Sequence, residues 1–107
     1  MNEAAIQKAV FQNLRERGSP GVVFWHTPND PASRRKSGYR EGVSDVAILH
    51  RGKFYAVELK VPKGHPNEKQ LEFVADVNAA GGYAFVAQGL DEALCALEQW
   101  GVLRGAA

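Results

Sequence analysis

Two apolar runs, Val43 to His50 and Lys53 to Val61, meet at Arg51-Gly52 and constrain this chain more than any other feature. Both are rich in β-branched and aromatic residues, and a two-residue gap between such runs reads as a β-hairpin. Val46 and Ile48 fall on one face with Tyr55, Val57 and Leu59, while Ala47 and Leu49 fall on the other with Phe54 and Ala56. A sheet that is apolar on both faces needs cover on both. Three segments with helical spacing can supply it: Glu3 to Arg17 with Ile6, Val10, Phe11 and Leu14; Asn67 to Ala80 with Leu71, Val74 and Val77; and Asp91 to Trp100 with Leu94, Leu97 and Trp100. Val22 to His26 and Tyr83 to Ala87 read as further strands, and Gly18 to Gly21, Pro62 to Pro66 and Gly81-Gly82 read as breaks. The order α-β-β-β-α-β-α predicts an α/β fold, a sheet flanked by helices, in one domain spanning residues 1–107.

The hairpin register carries the chemistry. If Arg51 and Gly52 form a two-residue turn, His50 pairs with Lys53, and counting outward sets Asp45 opposite Glu58. Facing residues on one side of a sheet have Cβ atoms about 4.5–5.5 Å apart. Lys60, two residues beyond Glu58, shares that face. A three-residue loop with a bulge at Gly52 would shift the pairing by one and still leave the carboxylates as neighbours. Two like charges in a half-buried sheet repel, so they call for a proton, a cationic partner or a metal. Oxygen donors suit Mg²⁺ or Mn²⁺, which can polarise a phosphate and acidify a bound water. The plainer reading is a cross-strand ion pair in which Lys60 neutralises both acids.

The net charge of +1 does not announce a polyanionic partner, but its distribution does. Arg34, Arg35, Lys36 and Arg40 fall within seven positions, in a long segment from Thr27 to Glu41 that leads straight into Asp45. Such a cluster suits phosphates of any sequence, and Tyr39 within it can stack on an exposed base. No apolar run approaches the roughly 20 residues that span a bilayer. Met1-Asn2-Glu3 does not read as a signal peptide. Cys95, the only cysteine, excludes an internal disulfide or a cysteine-based zinc cluster, and among Leu94, Ala96 and Leu97 it reads as a buried structural thiol. Together these predict a cytoplasmic protein.

Gly42-Val43-Ser44-Asp45 entering a strand, Glu58-Leu59-Lys60 ending one, Gln70 opening the next helix, Glu3 opening the first, and His26-Thr27-Pro28-Asn29 before the basic segment form an ordered set. This set resembles the PD-(D/E)xK nuclease superfamily, and within it the stand-alone phage and bacterial type of virus-type replication–repair nuclease (VRR-NUC) domain. The resemblance covers essentially the whole chain. It implies a restriction-endonuclease-like core with a mixed sheet. It implies Asp45 and Glu58 as metal ligands with the Leu59 carbonyl as a third, Lys60 as the catalytic lysine, Glu3 as an accessory acid, and Gln70 as a residue that helps hold the site or the nucleic acid. Ser44 stands where the superfamily's nominal pattern has a proline, a position with no ligand to offer. Two of these roles have structural competitors. Asn67-x-x-Gln70 is also a capping box, and Glu3 lies in a first helical turn, where any acid is favoured. His26 reads equally as a hydrogen-bonded structural histidine, and His50 and His65 carry no signal.

The implied activity is Mg²⁺- or Mn²⁺-dependent hydrolysis of DNA phosphodiesters, selective for branched structures. Domains of this minimal size resemble Holliday-junction resolvases acting as homodimers, because symmetric cutting of a four-way junction needs two sites related by a twofold axis. The basic segment, with Asn29, Arg34, Arg35, Lys36, Tyr39 and Arg40, is the expected DNA contact. The alternatives are a flap or restriction-like nuclease of the same chemistry, one acting on RNA, and a nucleic-acid-binding module without catalysis. A small-molecule metal hydrolase is disfavoured, since no second ligand cluster is evident.

Overall fold

A computed structural model describes residues 1–28, 32, 34 and 36–105. Asn29 and Arg35, both expected to contact DNA, lie outside the described residues. The elements run α1 (Glu3–Arg17), β1 (Val23–His26), β2 (Val46–His50), β3 (Lys53–Lys60), α2 (Glu68–Ala79), β4 (Tyr83–Gln88) and α3 (Leu90–Gln99). This is the α-β-β-β-α-β-α order expected from the sequence. The strands lie in the order β1-β2-β3-β4, antiparallel at the first two junctions and parallel between β3 and β4, so the sheet is mixed. The parallel pair follows from α2, which carries the chain back across the sheet between β3 and β4.

The hairpin closes as its spacing predicts, with His50 opposite Lys53 and Val46 opposite Val57. Arg51 and Gly52 both take positive φ, 52° and 78°, the signature of a type I′ turn whose twist matches the strands it joins. Strand β2, however, begins at Val46 rather than Val43. Gly42 to Asp45 arrive as a bend, because Gly42 (φ 79°) lies against the start of α2, where a Cβ would overlap the Lys69 carbonyl group and the Gln70 nitrogen.

One face of the sheet holds the core. Ile6, Val10 and Leu14 of α1 sit at successive four-residue steps and pack with Ala93 and Leu97 of α3 onto Val46, Ile48, Tyr55, Val57, Leu59 and Ala87. Burying each of these larger aliphatic side chains contributes about 1.5–3 kcal/mol. The chain after α3 closes this layer: Val102 and Leu103 are buried, and Arg17 binds both Glu98 and the Arg104 carbonyl.

The second face is covered at one end only. Helix α2 packs over β3 and β4, and the far end leaves Val23, Trp25 and Leu49 exposed. The expectation of cover on both faces therefore holds for half of the sheet. Leu71, placed on the inner stripe of α2 by its spacing, is also exposed; the inward residues are Gln70, Phe73, Val74 and Val77. Cys95 is exposed as well, contrary to the buried thiol expected from its neighbours. It lies two residues after Ala93, nearly opposite the Ala93–Leu97 stripe that faces the sheet. Among the described residues no helix is long and apolar enough to cross a membrane.

Candidate active site

Beyond Val46 and Val57, β2 and β3 part company. Strand β3 continues through Glu58, Leu59 and Lys60, paired on one side with Val86, Ala87 and Gln88 of β4. On the vacated side the Asp45 side chain takes the place of a strand, its Oδ2 accepting the Leu59 backbone N–H at 2.8 Å. The N–H and C=O of a strand residue project toward the same edge, so the Leu59 carbonyl opens into the same gap.

Asp45 is itself held from behind. Its carbonyl accepts the Thr27 N–H at 3.2 Å and lies 2.9 Å from His26 Nδ1. A carbonyl only accepts, so Nδ1–H donates this bond. His26 thus has a definite structural task, which the sequence left open.

Glu58 is only 2% exposed, and its Oε1 is buried with no hydrogen-bond partner among the described residues. Burial, a hydrogen bond between the two carboxyl groups, and the Asp45 charge push its pKa up to about 9; Lys60 pulls the other way. The Lys60 ammonium lies 3.6 Å from Glu3 Oε1 and 3.9 Å from Glu58 Oε2. Asn2 caps α1 through the Ala5 N–H, and this start of the helix brings Glu3 to the site. Lys60 therefore lies against Glu58 and Glu3 rather than neutralising both Asp45 and Glu58, and Glu58 Oε1 stays unsatisfied.

A divalent cation fits these donors. It would be held by Asp45 and Glu58, with the Leu59 carbonyl and water completing the shell. Among the described residues no group of three or more His, Cys, Asp or Glu is placed to hold a metal, so the side chains would offer such an ion two carboxylates at most. One or two carboxylates plus waters is the usual Mg²⁺ arrangement, and a cation there would satisfy the orphaned oxygen.

The remaining expected residues divide into three groups. Gln70 forms the capping box of α2, its Oε1 accepting the Asn67 N–H and its own N–H donating to Asn67 Oδ1, both at 2.9 Å. It also borders a polar hollow with Arg34 and Tyr39. Arg40 instead straps the segment to α2, pairing with Asp76 at 2.6 Å and lying over the Phe73 ring. Lys36 is exposed, its carbonyl accepting the Tyr39 N–H. Sequence reasoning missed Lys69, which lines the hollow; its place beside Gln70 at the start of a helix was the available signal.

No family model matches the sequence, and no curated protein matches it. Solved structures do match. One described as a VRR_NUC domain protein superposes with a TM-score of 0.81 at 22% identity, covering 94% of this chain and 88% of the other. A second, described as a VRR_NUC domain, gives 0.68 at 20% identity over 92% of this chain and 96% of the other. The chain has the α/β fold of VRR_NUC domains, as its ordered motifs suggested.

Proposed function

We propose that this chain is a nuclease of the PD-(D/E)xK type that hydrolyses DNA phosphodiesters with Mg²⁺ or Mn²⁺. The observation that carries the reading is the buried Glu58 carboxyl, left with an unsatisfied oxygen beside Asp45 where β2 and β3 separate. A purely structural acid in that position costs stability and gains nothing; a cation makes the arrangement useful. When bound, the ion would polarise the scissile phosphate and lower the pKa of a water. Asp45 and Glu58 hold and orient it. Lys60, steered by Glu3 and Glu58, places a positive charge where negative charge grows as water adds to phosphorus and a P–O ester bond breaks. Arg34, Lys36 and Tyr39 lie in the segment leading into Asp45, which supports contact with the nucleic-acid backbone.

Selectivity for branched DNA and action as a homodimer extend this reading. One chain carries one such site, and paired nicks across a four-way junction need two. The decisive measurement is cleavage of labelled four-way junction, flap, plain duplex and RNA by wild type, Lys60→Ala and Asp45→Ala, with and without Mn²⁺. Lys60→Ala should bind and cut far more slowly, and Asp45→Ala should not cut. An active Asp45→Ala protein would refute the site, and a monomeric mass on junction DNA would refute the dimer.

A further inference from the structure

In front of α2 lies a polar hollow of about 230 Å³, lined by Gly42, Arg34, Tyr39, Asn67, Lys69 and Gln70 together with one acid, Glu41. The helix N-terminus itself offers little here, because Asn67 and Gln70 already cap it. What remains is side-chain chemistry. The capping box occupies one lone pair on each side-chain carbonyl oxygen of Asn67 and Gln70, and the amide NH₂ groups of both add N–H donors. Arg34 and Lys69 contribute positive charge. Each is paired with a neighbouring acid, Glu41 at 3.5 Å and Glu72 at 3.3 Å, but all four side chains are largely exposed. Exposed pairs of this kind are weak and exchange readily for a phosphate. Half-buried Tyr39 adds an aromatic surface.

Donors, cations and one aromatic ring together fit a ligand rich in acceptors and planar. The hollow is smaller than the roughly 300–1,000 Å³ of pockets for drug-sized molecules, so it has room for one base but not for a base pair. Its position is set by the chain. Gly42 is three residues from Asp45, at most about 11 Å away. Successive nucleotides of one strand are about 3.4 Å apart along duplex DNA and further apart when unstacked.

We infer that this hollow is a subsite for a single unstacked nucleotide, one to three positions from the phosphate that is cut. Arg34 and Lys69 hold its phosphate, and Tyr39 stacks on its base. The inference rests on the nuclease reading above and adds a reason for structure selectivity: a fully paired strand cannot fill the subsite without losing a base pair.

The test is equilibrium binding of the full chain, in metal-free buffer, to three DNAs of equal charge. These are a perfect duplex, a duplex with one unpaired nucleotide, and the same duplex with that nucleotide abasic. Stacking predicts a preference of roughly five- to a hundredfold for the unpaired base over both others. Tyr39→Ala should abolish this preference and Tyr39→Phe should keep it. Lys69→Gln should weaken binding to the two DNAs that carry the extra nucleotide, with base or abasic, more than to the perfect duplex, and lower their salt dependence by about one phosphate contact. Equal affinity of wild type for the three DNAs, or a preference that survives Tyr39→Ala, overturns the subsite. Cleavage of the same DNAs once Mn²⁺ is added, by a chain that shows no such binding preference, overturns the subsite while leaving the nuclease reading intact. A chain that neither binds these DNAs nor cuts them once Mn²⁺ is added overturns both.

Discussion

The two ends of the β2–β3 hairpin are made from the same strands and are built to opposite rules. At the turn, His50 and Lys53 pair, Arg51 and Gly52 adopt the twist the strands require, and no ionisable group is buried without a partner. At the other end the ladder stops at Val46 and Val57, an aspartate side chain substitutes for a strand, and a carboxyl is buried with an unsatisfied oxygen. The closed end contributes stability alone. The open end gives up backbone pairing and carboxylate solvation to hold charge in place. A local cost of this kind is tolerated when packing elsewhere supports it, and here that support is the α1/α3 core on the opposite face of these strands.

The sharpest way to break this contrast is to remove charge from the open end. Lys60→Ala should lower the cleavage rate by roughly 10²–10³ or more while changing the melting temperature little, as read from single-turnover rates and thermal melts. A rate within tenfold of wild type would deprive the open end of its assigned role. Gly42→Ala should damage both properties, since the new Cβ meets α2 backbone at a positive φ. A loss of about 2–4 kcal/mol is expected, with cleavage falling as Asp45 shifts.

A subtler separation comes from pH. The folded protein keeps the Glu58 proton up to about pH 9, whereas the unfolded chain releases it near 4.5. Between those values the folded state binds more protons, so the metal-free protein should lose stability as pH rises through that window. Glu58→Gln should flatten the decline in melts recorded from pH 5 to 9 with chelator present. Mg²⁺ at pH 8 should raise the melting temperature of wild type more than that of Glu58→Gln. A wild-type profile that is flat in chelator would remove the argument for a frustrated carboxyl. The smallest effect belongs to the turn. Arg51→Asn places a residue suited to positive φ at the first turn position and should add about 0.5–1 kcal/mol, with cleavage unchanged.

Much of this was legible in the sequence because it is local. The turn spacing carried the register as far as Val46 and Val57; the ladder stops before Asp45 and Glu58, so these acids come together as neighbours at the parting of the strands and not as a facing cross-strand pair. The four-residue steps of Ile6, Val10 and Leu14 carried α1. What stayed hidden depends on neighbours distant in the chain. The early end of β2 is set by Gly42 meeting α2. The exposure of Leu71 and Cys95 depends on which side of each helix meets the sheet, and several apolar residues compete for that side. The uncovered Val23, Trp25 and Leu49 show that apolar alternation states what a sheet could bury, not how far a helix reaches across it. The Arg34–Tyr39–Lys69 hollow joins residues thirty or more positions apart, and no short motif announces it.

The lone thiol of Cys95 has a practical consequence. It lies on the outer side of α3, beside a shallow depression shared with Phe85 and Trp100, in the helical layer across the sheet from the carboxylates. A chromophore attached there needs no engineered residue and leaves the acids untouched. The native chain therefore comes with its own handle for testing the proposed encounter with nucleic acid from the far side of the molecule.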